Sequence, residues 1–298
     1  MSAALAVLPD FLLIAAGALL ARRFGYAPPF WEGVERIVYF VLFPALLFRS
    51  IATMPFSLGD STPLVATAFA YTAVAMVLAL AAKPLFGLAA ETHAAAFQCA
   101  FRFNTYIVFS VVSRVAGADG IALASLVVGA MVPVVNVAAV AMLARGQGRR
   151  TIAEIARNPL VLATLAGIGW NAAGFGLPAV AERLLESAAA AAVPMGLLAV
   201  GAALRPGPRA LPLPALAYFH AIKLVAVPAI AWALARVLGL SPIEATVALV
   251  HASAPTATSA YILASRMNGR GAPVASIVTS GTLLAALTMP AWLALSRL

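Results

Sequence analysis

The sequence predicts an all-α integral membrane protein of ten transmembrane helices, built as two inverted five-helix repeats whose fourth and ninth helices are interrupted. Composition is the first observation behind this. Of 298 residues, 63% are hydrophobic and 10% are charged. Soluble domains run about 45–50% apolar and about 25% charged, so a soluble fold of this length has too few charges to cover its surface. Disorder is excluded by the same arithmetic. The second observation is the number of apolar stretches: at about 20 residues per crossing, the length fits ten and leaves no room for a soluble domain. The third is an internal similarity at a shift of about 150 residues, which corresponds to five helices. An odd shift turns the second half over in the bilayer.

The first stretch, 4–21, carries no basic residue before it and is followed by Arg22 and Arg23, the reverse of a secretory signal, and reads as a crossing. Asp10 is the one carboxylate placed within the first half of a span, and the remaining acids lie near span ends. The further crossings are expected at 31–53, 61–82, 92–114, 118–143, 157–175, 179–203, 211–237, 241–265 and 272–296. GQGRRTIAEIAR (146–157) is the longest connection and reads as a surface amphipathic helix. Residues 1–144 thus form the first repeat, 145–156 a cytoplasmic linker and 157–298 the second repeat.

The net charge of +9 comes from scattered single cations, which read as membrane anchors rather than a nucleic-acid surface. Twelve lie on the odd-numbered connections, five (Arg49, Arg114, Arg183, Arg236 and Arg297) on the opposite side, and Arg102 and Lys223 within spans. The positive-inside rule then puts both termini outside a cell inner (plasma) membrane. Trp31, Trp170 and Trp292 read as interfacial belt residues. The single cysteine, Cys99, excludes disulfides within the chain, and the composition calls for no cofactor and no metal.

The repeat is carried by several pairings. Pro44 in LFPALLF falls on Pro194 in AVPMGLL, Ser113-Arg114 on Ser265-Arg266, and Ala124-Ser125 on Ala275-Ser276. Two inverted halves are the build of many secondary transporters, whose sites lie near the membrane midplane at broken helices. The ninth span contains HASAPTATSAYILA (251–264), where Pro255 lacks an amide hydrogen and disfavours helix at Ala254. Ser253, Thr256, Thr258 and Ser259 surround it. In AFRFNTYIVFSVVSR (100–114) of the fourth span no proline interrupts, but Asn104 has the side chain to cap a new half-helix. If both helices break, the N-termini of their second halves present amide donors and partial positive charge to the same region, which suits a carboxylate.

FRFNT, VPMGLLAVGAAL (193–204), RNPLVLATLAG (157–167) and APTATSAYILA (254–264) resemble the auxin efflux carrier family, which includes plant auxin exporters and bacterial carriers assigned to malonate and other small carboxylates. The resemblance implies that helices four and nine cross at the substrate site. It also implies a scaffold of helices 1, 2, 6 and 7, a transport domain of helices 3–5 and 8–10, and a homodimer through the scaffold. Asn104 and Thr105 match the family's Asn-Thr pair, and Pro255 and Thr256 its Pro-Thr. Ser259 stands where many members have a second Asn, Tyr106 where many have Gly, and Val111 where Pro is common.

The expected substrate-binding residues are therefore Arg102, Asn104, Thr105, Pro255, Thr256, Thr258 and Ser259. His220 and Lys223, at i and i+3, read as a polar pair on one face. With His251 and Asn136, they are candidates for ion coupling or support. Gly196 and Gly201 read as close-packing residues. No GxxxxGK[ST] loop, HExxH motif or membrane aspartate pair occurs, which excludes ATP-driven transport within the chain and argues against an intramembrane enzyme. The sequence leaves open a sodium-coupled bile-acid-type symporter and a non-transporting ligand sensor.

Overall fold

The computed structural model describes residues 3–53, 61–143, 159–204, 210–268 and 270–295, all helical or connecting, with no strand among them. The expected linker 145–156 lies outside the described residues. The helices are α1 (Ala3–Arg23), α2 (Pro28–Ile37), α3 (Phe43–Ala52), α4 (Thr62–Phe86), α5 (Ala90–Phe97), α6 (Thr105–Leu143), α7 (Pro159–Ala172), α8 (Ala179–Ala203), α9 (Leu213–Ala221), α10 (Val227–Val237), α11 (Pro242–Ser253), α12 (Ser259–Asn268) and α13 (Gly271–Leu295). Among the described residues, five stretches are long and apolar enough to cross a bilayer: Thr62–Phe86, Ala90–Leu143, Ala179–Ala203, Leu213–Val237 and Gly271–Leu295. Ala90–Leu143, at 54 residues, exceeds one crossing, which needs about 20. It is divided twice, at the unwound segment before Thr105 and at Gly117 within α6. The φ of 63° and ψ of −154° at Gly117 belong to a region that only glycine enters without strain.

Two π-helical turns, Val38–Leu42 and Ile222–Ala226, join α2 to α3 and α9 to α10. Each lies just before a proline in the first turn of the following helix, Pro44 and Pro228. A proline ring clashes with the carbonyl four residues back and offers no amide in exchange. A wider turn takes up that conflict without ending the helix. In the eighth expected span this alters the polar arrangement. His220 lies before the π turn and Lys223 within it, and the two reach different neighbours rather than acting as one pair.

Tight helix contact relies on absent side chains. A Cβ on Gly17 of α1 would lie 2.0 Å from the Leu198 carbonyl oxygen, and one on Gly201 of α8 would lie 1.8 Å from the Ile14 carbonyl oxygen. The backbones of α1 and α8 therefore touch directly, as small residues allow in membrane bundles. Arg22 extends this contact by donating to the Leu204 carbonyl at the end of α8, at 2.9 Å. At the start of α11, Ser241 and Glu244 form a reciprocal cap: the Ser241 amide donates to Glu244 Oε2 at 3.0 Å, and the Glu244 amide donates to Ser241 Oγ at 3.4 Å.

The tryptophans depart from the belt expectation in part. Trp31 is buried within the chain, and Trp292 Nε1 donates to the Leu224 carbonyl at 2.9 Å, so an internal carbonyl satisfies this indole. Trp170 stacks edge-on with Phe48 and Phe175.

Candidate functional site

Both expected interruptions are present, and they meet. After α5 the chain tightens into a 3₁₀ turn, Gln98–Ala100, and runs without helix through Phe101–Asn104. After α11 it extends at Ala254 (φ −61°, ψ 136°), as the following proline requires, and regains helix at Ser259. Freed backbone groups away from water need partners, and here the two segments serve each other. The Asn104 amide donates to the Pro255 carbonyl at 2.8 Å, and Thr256 Oγ1 donates to the Cys99 carbonyl at 2.7 Å.

Asn104 organises the first segment. Its Oδ1 accepts from the amides of Tyr106 (3.1 Å) and Ile107 (3.3 Å), capping α6. Its Nδ2 is buried and has no hydrogen-bond partner. A buried donor left without an acceptor costs about 1–3 kcal/mol.

Arg102 bridges the two segments. It is buried and donates to Gln98 Oε1 at 3.1 Å and to Ser259 Oγ at 3.2 Å. Gln98 in turn donates through Nε2 to the Ala260 carbonyl at 3.2 Å. Among the described residues no carboxylate lies within ion-pair distance of Arg102. The guanidinium thus stands at the start of α12 with hydrogen bonds but no counter-charge. Ser259 is exposed, while Thr105 and Thr258 are half-buried. A cavity of about 40 Å³ lies beside the second segment, lined in part by Glu35, Thr258, Tyr261 and Thr279. It holds a few waters at most.

The remaining candidates divide. His251 sits directly behind the crossing: Phe103 packs on its ring with centroids 4.0 Å apart, Tyr71 Oη and His251 Nδ1 are 2.6 Å apart, and Nε2 is buried without a partner. Lys223 is buried and donates to the Ala252 carbonyl at 2.9 Å, placing a positive charge where the dipole of α11 is negative. His220 turns away to Ser280 Oγ, 2.8 Å distant. Ser253 bonds back to the Leu249 carbonyl at 2.7 Å and serves its own helix. Asn136 is half-buried on α6 beyond Gly117, and no hydrogen bond among the described residues joins it to the crossing.

Sequence reasoning missed Gln98, Phe103 and Tyr71. Gln98 was readable as a lone polar side chain in an apolar run. Tyr71 reaches a histidine 180 positions away, and nothing local announces that contact. Tyr106, in the place of a common glycine, is matched by Gly196: a Cβ there would lie 2.4 Å from Tyr106 Cδ1.

Residues 147–293 match the family described as membrane transport protein. Over 317 aligned positions the chain is 28% identical to a protein of Rhizobium meliloti (strain 1021) named "Putative malonate transporter", covering 98% of this chain and 95% of that relative. The chain is a multi-pass membrane transport protein. Both findings agree with the resemblance to the auxin efflux carrier family carried by the FRFNT and APTATSAYILA motifs.

Proposed function

We propose that the protein is a secondary transporter moving a small organic anion, a dicarboxylate of the malonate type, by alternating access. The carrying observation is the crossing itself: Asn104 bonded through its amide to Pro255, with Nδ2 left free beside the starts of α6 and α12. Two helix N-termini, an amide donor and the Arg102 guanidinium offer a carboxylate charge-assisted hydrogen bonds. The relative's name supports the choice of malonate.

The proposed frame has ten crossings in two inverted repeats. Helices 1, 2, 6 and 7 form a scaffold that makes the homodimer, and helices 3–5 and 8–10 carry the crossing between the two sides. Both termini lie outside the inner membrane. The small cavity beside Thr258 belongs to a closed state in this reading, because it is far below the about 300–1,000 Å³ of an open ligand pocket.

The test is uptake of labelled malonate into proteoliposomes, with and without sodium, against an aromatic monocarboxylate as competitor. Saturable uptake blocked by other dicarboxylates is expected. Saturable binding without flux would make the protein a sensor instead. Flux that requires sodium would place it with sodium-coupled symporters.

A further inference from the structure

Away from the crossing, one more charge cluster is buried, and the site does not use it. Asp10 of α1 is fully buried. Its Oδ1 accepts from Arg114 at 2.7 Å and from the Ser110 hydroxyl, both on the first half of α6 and one turn apart. Its Oδ2 is also buried and has no partner. No other ion pair among the described residues includes a fully buried partner. Arg114 is 28% exposed, and it lies three residues before Gly117, where the first half of α6 ends.

The location gives this pair a consequence. α1 is fixed to α8 through Gly17 and Gly201 and carries no residue of the crossing. α6 begins at the Asn104 cap and moves with the crossing if the crossing moves. Any displacement of α6 against α1 must break this contact. A buried carboxylate stripped of its cation is strongly unfavourable, so an ionised Asp10 holds the two helices together. A proton on Oδ2 neutralises the carboxyl, removes its attraction for Arg114, and lets Arg114 turn to water from its half-exposed position.

We propose that Asp10, Ser110 and Arg114 form a proton-released latch between α1 and α6, with Asp10 as the coupling carboxylate. The inference deepens the transport reading and rests on it. Charged neighbours are few on every side of Asp10. α13 contains no titratable residue, and on α8 Glu182 and Glu186 face Arg49 at 3.8 and 3.7 Å while Arg183 is exposed. From α6, Arg114 alone bears on it.

Malonate flux into proteoliposomes, measured against pH for the parent chain, Asp10→Asn and Arg114→Gln, tests the latch. The parent should lose flux about tenfold per pH unit on the alkaline limb, the slope of one obligatory proton. Asp10→Asn should flatten that limb to less than about twofold, and Arg114→Gln, which removes the other half of the latch, should flatten it as well. Because Asp10→Asn could misfold, a second measurement uses the parent residues at the latch. Spin labels at Leu12→Cys and Ala118→Cys should report a longer α1–α6 distance on acidification.

A parent slope retained in Asp10→Asn, or a label distance independent of pH, overturns the latch. If no carboxylate moves at any pH, the transport reading fails, and the label distances still decide whether protonation parts the helices.

Discussion

The contact between Gly196 and Tyr106 can be tested by one added methyl group. A Cβ on residue 196 would lie 2.4, 2.7 and 2.8 Å from Cδ1, Cγ and Cε1 of Tyr106. Carbon atoms rest about 3.5–4.0 Å apart, so the ring would have to retreat by roughly 1 Å. It has little freedom to do so: Phe43 lies against it with centroids 4.9 Å apart, and its own amide is held by Asn104 Oδ1 at 3.1 Å. Overpacking of this kind costs about 1–3 kcal/mol. At about 2–4 °C per kcal/mol for chains of about 150–250 residues, Gly196→Ala should lower the apparent Tm by about 2–12 °C. Tyr106→Ala removes the obstacle, and in that background the Gly196→Ala cost should shrink by most of its value. Thermal unfolding of the four variants in detergent, at one scan rate, measures this coupling. Equal costs of Gly196→Ala in both backgrounds would show that the ring and the glycine do not depend on each other.

The remaining expectations concern the crossing and the scaffold. Asn104→Asp keeps the capping oxygen but loses the Nδ2 donor, so stability should stay near that of the parent while malonate binding weakens about tenfold, equivalent to 1.4 kcal/mol. Unchanged affinity by calorimetry would remove Nδ2 from the site. Asn104→Ala loses the cap as well and should cost about 0.5–2 kcal/mol of stability in addition, read by thermal unfolding. Arg102→Gln should weaken anionic ligands about 10–100-fold, the worth of a charge-assisted bond of about 1.5–3 kcal/mol. An equal loss for uncharged analogues would refute its charge role. Gly201→Ala should be more damaging than Gly196→Ala, since its Cβ would meet backbone, 1.8 Å from the Ile14 carbonyl oxygen, and a helix axis cannot turn aside as a ring can. A folded, monodisperse Gly201→Ala protein with parental Tm would refute that packing argument.

Some of the site was readable before any coordinates because its causes are local. Pro255 restricts Ala254 through its own ring, and Asn104 caps the two amides that follow it. Both effects act within a few residues and need no knowledge of neighbours. The close-packing reading of Gly196 and Gly201 was similarly available, since a missing side chain invites an approach. The partners were not available. Asn104 could be named as a cap, but not as the residue whose amide meets Pro255. Arg102 could be named as a buried cation, but not as a bridge between Gln98 and Ser259. His220 and Lys223 looked like a pair by spacing, and the π turn ahead of Pro228 sent one to Ser280 and the other to the Ala252 carbonyl.

Composition and spacing alone determined that this chain is a bundle of apolar helices in a membrane, that two of those helices break, and which residues stand at the breaks. These are consequences of solvation and of backbone rules that each residue imposes on its neighbours in the chain. Tertiary structure alone decided that the breaks cross and satisfy each other, that Tyr71 reaches His251, and that Asp10 of the first helix is tied to Arg114 more than a hundred residues later. Such pairings arise when distant segments close-pack and buried polar groups must find whatever partner the packing brings within reach, a choice made in three dimensions.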